Sequence, residues 1–276
     1  MGALRWKRGL GQCYLVDKRR PRKIILLYHA VGSGADAMDT QLFSEQMAWL
    51  SEYCEVMSLS DLLRVNSNSN KIQVAISFDD GYACLYDVCA PILKRLNIPA
   101  IVYLNTAWVA SDAVHRLKSN PDLGHYPDEH FLIWNEVKQF VSDGWEIGSH
   151  GVDHVDLTRM TRQMHDLNLQ LSQSKQAIED NLEQPCVHFA YTWGKHSSLV
   201  RERVKKTGYQ YAVAAHHRVM SSKADAYALP RMNIEKAYSM DDFIGVVQGR
   251  WDYLGLIHAV KYHMSFLKRR RATPAG

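Results

Sequence analysis

The sequence predicts an α/β fold: a parallel sheet with helices on its outer side, closed into a single-domain (β/α) barrel of about seven strands. Three observations carry this. Short β-branched runs alternate with longer segments of helical periodicity along the chain. The runs are continuously apolar rather than alternating, which is what a sheet covered on both faces requires. Six or seven such units fall within 276 residues, a length at which barrels close as one domain.

Strands are expected at Lys23–Tyr28, Gln73–Phe78, Ala100–Leu104, Trp145–Ser149, Val187–Tyr191 and Tyr209–Ala214. Helices are expected at Gln41–Leu50, Ala90–Leu96, Trp134–Val141, Thr158–Leu182 and Ser198–Lys206. Thr40 suits a helix N-cap, and Pro91 suits an early helical position, which places a break near Cys89. The long fourth helix carries Met164, Leu167, Leu171, Ala177, Ile178 and Leu182 at roughly helical spacing. Asn66–Asn70 is a polar loop. Asn105–His130 is long and irregular and follows a strand end, as loops that wall or cover a site often do.

Composition narrows the class. Apolar residues make up 46% and charged residues 22%, ordinary for a folded chain. The net charge of +4 is too small to argue for a nucleic-acid partner, and its excess is concentrated in Lys18–Arg20, Arg22-Lys23 and Lys268–Arg271. The expected division is a basic N-terminal segment (1–23), the barrel (24–236) and a helical, basic C-terminal segment (237–276). Five scattered cysteines, none in CxxC spacing, support neither a disulfide framework nor a thiolate metal site. No run has signal-peptide or membrane-span length, so a cytoplasmic location is expected. Phe266 and Leu267 before Lys268–Arg271 allow a peripheral contact with the inner face of an anionic membrane.

In a parallel barrel the chemistry collects at the C-terminal strand ends. Those ends read Leu26-Leu27-Tyr28-His29, Ser77-Phe78-Asp79-Asp80-Gly81-Tyr82, Ser149-His150-Gly151-Val152-Asp153-His154 and Phe189-Ala190-Tyr191-Thr192-Trp193-Gly194. Two adjacent carboxylates leaving a buried strand are costly unless positive charge lies beside them. A divalent metal on Asp80, His150 and His154 would satisfy that, with one oxygen and two imidazole ligands and a position left for water. The four-residue step between the histidines is expected to bring both to one side of a single turn, with Asp153 pointing away. Asp79 then stays unliganded as a base. Taken singly, the segments have blander readings, since Asp-Asp-Gly after a strand is often only a turn.

Together, SFDDGY (77–82), SHGVDH (149–154) and FAYTWG (189–194) resemble, in order and spacing, the first three motifs of the polysaccharide deacetylase family, carbohydrate esterase family four. The likeness covers roughly Ile24 to Glu235. It implies a distorted (β/α) barrel that hydrolyses N-acetyl groups on amino sugars. In it Asp80, His150 and His154 hold the metal, Asp79 is the general base, and the Trp193 N–H is an oxyanion donor. Tyr82, Tyr191 and Trp193 are the expected substrate-binding residues. Leu229-Pro230-Arg231 resembles the segment whose arginine holds the catalytic aspartate; a surface ion pair is the alternative for Arg231. The usual late Leu-x-x-His is matched instead at Leu26–His29, as in the permuted branch that includes poly-N-acetylglucosamine deacetylases. That makes His29 the expected general acid, with His258 as competitor. Departures from the pattern are Gly151 for Ser or Thr, Ala190 for Arg, and Thr192-Trp193 for Pro-Tyr; they bear on the sugar-facing wall.

The expected reaction is attack of a metal-activated water, zinc being the natural ion, on the amide of an N-acylated amino sugar in a polysaccharide or oligosaccharide. A nucleotide- or polyprenyl-linked amino sugar at the cytoplasmic membrane face is the second reading. An inactive glycan-binding barrel is the third. No G-x-S-x-G or G-x-x-x-x-G-K-[ST] supports a serine hydrolase or a nucleotide site.

Overall fold

The computed structural model describes residues 6–9, 22–65, 69–255 and 257. The basic clusters at Lys18–Arg20 and Lys268–Arg271, together with Cys13, His258, Phe266 and Leu267, lie outside them. Within the described residues the elements are β1 (Lys23–Tyr28), α1 (Thr40–Tyr53), β2 (Cys54–Val56), α2 (Leu59–Arg64), β3 (Ile72–Phe78), α3 (Ala90–Arg95), β4 (Ala100–Leu104), α4 (Trp134–Ser142) and β5 (Glu146–Ser149). They continue with α5 (Met164–Leu182), β6 (His188–Ala190), α6 (Ser198–Lys206), β7 (Tyr211–Val213), β8 (Met232–Asn233) and α7 (Met240–Gln248).

The sheet order is β7-β6-β5-β4-β3-β1-β8, all parallel, with β2 beside the first half of β3. The distorted barrel is completed by one short stretch of chain. Leu229 pairs with Val213 next to β7, and three residues later Met232 pairs with Leu26 of β1. Pro230 and Arg231 span the gap.

Strand parity divides the apolar residues into two layers, which is why the strands read as unbroken apolar runs. Ile24, Leu26, Val74, Ile76, Val102, Ile147 and Phe189 pack outward with the helices. Ile25, Ala75, Ile101, Tyr103, Ala190 and Val213 fill the interior. Leu59 and Leu62 of α2 join that interior cluster, so α2 plugs the N-terminal end of the barrel. Glu146 fastens the plug by accepting the Leu59 and Ser60 N–H groups at 2.8 and 3.1 Å, a carboxylate at a helix N-terminus.

Several expectations change. The cap of α1 is Asp39, whose carboxylate accepts the Leu42 N–H, rather than Thr40, which is the first helical residue. Pro91 lies in the first turn of α3, but the chain does not break at Cys89; it enters through a π turn at Leu85–Cys89, whose last residue keeps helical backbone angles. The expected helix from Thr158 divides into a 3-10 segment, Leu157–Arg162, and α5, which starts at Met164. β2, α2 and β8 were not expected, whereas α7 falls in the segment 237–276 that was expected to be helical. The C-terminal boundary at 236/237 does not mark a separate unit, because Phe243, Val246 and Val247 of α7 belong to the same core. Lys7 and Arg8 of the N-terminal segment also dock on the barrel, pairing with Glu235 at 3.1 Å and Asp242 at 2.8 Å. No helix among the described residues is long and apolar enough to cross a membrane.

The interior is close-packed at β5. A Cβ placed on Gly148 would fall 2.5 Å from two ring carbons of the buried Tyr103. Gly148→Ala is expected to destabilise the protein by about 1–3 kcal/mol in urea denaturation. Combining it with Tyr103→Leu should lose less than the two single losses added together, because the clash is then removed.

Candidate functional site

The same parity that fills the barrel aims its C-terminal ends inward. Two residues beyond inward Leu27, Ser77, Tyr103 and Gly148 stand His29, Asp79, Asn105 and His150. His29, Asp79 and His150 open on a cavity of about 370 Å³ whose lining also includes Asp80, His154, Trp193 and Arg231, while Asn105 is buried behind it. Asp80 belongs to the opposite parity. A left-handed backbone at this residue (φ 71) turns its side chain back towards the mouth, an unfavourable conformation for a non-glycine residue.

Asp80, His150 and His154 each offer a ligand atom, and those atoms lie within 4.8 Å of one another, all buried. Asp80 Oδ1 is 3.5 Å from His150 Nε2 and 3.4 Å from His154 Nε2. Each histidine uses its other ring nitrogen on a carbonyl: Nδ1 of His150 lies 2.8 Å from Ala190 O, and Nδ1 of His154 lies 2.8 Å from Leu123 O. A carbonyl can only accept, so both Nδ1 atoms carry the proton and both Nε2 lone pairs face Asp80. Burial lowers the pKa of His150, which keeps that imidazole neutral. The His-x-x-x-His step brings the two imidazoles together, as expected, with ring centroids 5.3 Å apart. Left-handed backbone at Gly151 (φ 88) and His154 (φ 54) folds the second imidazole back over the first. Asp153 does point away, its carboxylate accepting the Gln170 side-chain amide at 2.8 Å.

Asp79 has a partner of its own. Arg231, with 0% exposure, donates through both terminal nitrogens to Asp79 Oδ1 and Oδ2 at 2.6 and 2.7 Å. This is a bidentate pair inside the barrel, not a surface ion pair. Arg231 also lies over the Tyr103 ring at 5.4 Å and donates to Ala214 O at 3.3 Å. Burial alone would raise the Asp79 pKa, but the Arg231 charge and hydrogen bonds outweigh it and hold it at about 2. With Asp79 neutralised, Asp80 is left as a buried carboxylate facing two imidazole lone pairs. It accepts hydrogen bonds from Asn105 Nδ2, 3.3 Å from Oδ1, and from the buried Tyr82 hydroxyl. That donor set suits a divalent cation, and Asp80, His150 and His154 are the residues that could hold it.

Trp193 stands at the cavity edge, 45% exposed, with its ring 4.5 Å from that of His154. His29 lines the cavity and stacks on Tyr126 at 5.4 Å. Two expected substrate contacts are corrected. Tyr82 is fully buried and its hydroxyl accepts the Tyr126 N–H at 2.8 Å, while Tyr191 is fully buried and donates to Tyr227 O at 2.9 Å. Neither lines the cavity; both brace loops around it. His258 lies outside the described residues.

The long loop after β4 supplies what single motifs could not show. It presents Leu123 O to His154, stacks Tyr126 on His29, and brings Gly124 against the Trp193 indole. Its length was a signal; its partners were not. Asn105, at the end of β4, carried no motif either, although strand parity could have found it.

Two outcomes follow from the Asp79–Arg231 pair. Arg231→Met should cost about 3–5 kcal/mol of stability by chemical denaturation, since it strands a buried charge, and adding Asp79→Asn should recover part of that loss. Because the folded pKa of Asp79 lies below the unfolded value of about 3.9, its contribution is present above about pH 4 and disappears as pH falls through about 2. It amounts to about 2 kcal/mol. Denaturation curves at pH 5 and pH 2.5 should therefore differ less in Asp79→Asn than in the wild type.

Comparison with known proteins places this geometry. The family model described as polysaccharide deacetylase matches residues 66–212, just over half of the chain. The Bacillus subtilis protein YxkH is 25% identical over 234 residues, covering 83% of this chain and 77% of that protein. A poly-β-1,6-N-acetyl-D-glucosamine N-deacetylase of Staphylococcus aureus is 24% identical over 220 residues, covering 76% and 70%. Among solved structures, the Streptococcus pyogenes deacetylase PplD in complex with acetate aligns with a TM-score of 0.68 at 21% identity, over 83% of this chain and 99% of that one. IcaB from Ammonifex degensii aligns with a TM-score of 0.68 at 17% identity, over 84% and 97%. These two likenesses show the shared fold. The matched stretch runs from residue 66 into β7 and contains Asp79, Asp80, His150 and His154: the chain belongs to the polysaccharide deacetylase family, hydrolases acting on amide bonds.

Proposed function

We propose that this protein is a zinc-dependent N-deacetylase of oligo- or polysaccharides built from N-acetylglucosamine-type units. The observation that carries the reading is the division of labour between adjacent carboxylates. Asp79 is neutralised by Arg231, while Asp80 faces two imidazole lone pairs and calls for a cation. One oxygen and two nitrogen ligands with open positions is the donor set of catalytic zinc sites. When bound, the ion supplies Lewis-acid polarisation of the acetyl carbonyl and makes water more acidic.

The chain's own groups do the rest. Asp79 stays ionised at any working pH, so it can accept a proton from the attacking water; Arg231 fixes both its oxygens and thereby its direction. Trp193 is the second residue of the 3-10 turn Thr192–Gly194, a position whose N–H has no partner within the turn, and it donates to the developing oxyanion. His29, on the cavity wall, delivers the proton that the departing amine needs. The exposed indole of Trp193 offers a flat apolar face at the mouth, suited to stacking on a sugar ring. The named activity of the Staphylococcus aureus relative, on a β-1,6-linked N-acetylglucosamine polymer, supports this substrate class.

Purified protein with Zn²⁺ should release free amine from N-acetylglucosamine oligomers. Asp79→Asn is expected to keep its metal content by elemental analysis and lose about 10²–10⁴-fold in kcat. Undiminished turnover in that variant would sink the assignment. His29→Gln should slow amide hydrolysis strongly but spare an activated aryl acetate, whose leaving group needs no proton; equal losses on both substrates would take the acid role from His29.

A further inference from the structure

A second pair of imidazoles meets outside that centre. His196 Nε2 and His216 Nε2 are 3.1 Å apart, with their rings nearly perpendicular at 80°. Two nitrogens on one tetrahedral ion, each at about 2.0–2.1 Å, are separated by about 3.3 Å. The pair therefore stands within a few tenths of an ångström of the spacing an ion needs. His196 belongs to the loop after β6 and His216 to the loop after β7.

The two loops are locked together, so this spacing is built in. A Cβ on Gly194 would fall 2.4 Å from Ala215 N, so the backbones approach as only glycine permits. The His196 ring packs on Tyr191 at 5.0 Å. Burial, then the neighbouring imidazole, holds the His196 pKa down at about 4, which leaves its ring neutral at physiological pH. His216 is exposed, so further positions on an ion would be open to water.

We propose that His196 and His216 form a second, weaker site for an imidazole-seeking transition ion, Zn²⁺ or Cu²⁺, bridging the loops after β6 and β7 at the rim of the cavity. Hard ions such as Mg²⁺ and Ca²⁺, which take oxygen ligands, are not expected to bind. The consequence for the cavity is direct. Trp193 and Gly194 line it from the first loop, Ala215 and His217 from the second, so a bridging ion stiffens the wall that carries Trp193. The site does not depend on the deacetylase reading.

Calorimetric titration of the full chain with Zn²⁺ alone tests it. Wild type should show two events. His216→Ala and His196→Ala should each lose the weaker event and keep the tighter one, whereas Asp80→Asn should keep the weaker and lose the tighter. His216 is exposed, so its removal leaves the fold intact, which thermal melting of the variant checks. A single event in the wild type, as an ordinary imidazole–imidazole hydrogen bond would give, overturns the proposal. So does a weaker event that survives both histidine substitutions.

Discussion

The site depends on one buried interaction, the two-pronged bond between Arg231 and Asp79 inside the barrel. Arg231 sits in the few residues that join β7 to β1, where the sheet has no long strand to complete it. Putting a guanidinium there without a partner would be prohibitive, and Asp79 alone would be protonated or expelled. Together they tie the closing segment to the end of β3. Tyr103 lies under the guanidinium, and the missing side chain of Gly148 makes room for Tyr103. The chain of contacts runs from barrel closure through the interior to the Asp79 carboxylate.

That pairing also decides what Asp80 can be. Of two neighbouring carboxylates in one strand-end turn, one has its charge matched by Arg231 and the other is turned back to the same mouth by its left-handed backbone, to face two imidazoles. Adjacent identical side chains thus acquire different chemistry from backbone parity and from the single arginine. The loop after β4 adds the remaining constraint. Through Leu123 it orients His154, and through Gly124 it abuts Trp193, so the order of this loop and the shape of the Asp80–His150–His154 cluster are coupled.

Much of the fold was legible in the chain. β1 and β4 lie where apolar runs placed them, and α6 spans the residues that periodicity marked. The elements that escaped notice, β2, α2 and β8, are short, and no continuous apolar run announces them. α2 is a plug held by Glu146 from 86 and 87 residues away, and no local pattern encodes such a contact. In the site, Asp79, Asp80, His150, His154, His29, Trp193 and Arg231 do line one cavity. Tyr82 and Tyr191 carry the right residue type on the wrong side of their turns.

Residue type and spacing by themselves determined the strand ends, the polar groups gathered there and the donor set for a cation, because period-two alternation and ligand chemistry are local properties. Which oxygen faces Arg231, which ring nitrogen is spent on a carbonyl, and which aromatic reaches the cavity were decided only when distant segments packed. Those choices rest on left-handed turns and on contacts between residues far apart in the chain, and a hydrogen bond exists only once both partners have been brought within about 3 Å of each other.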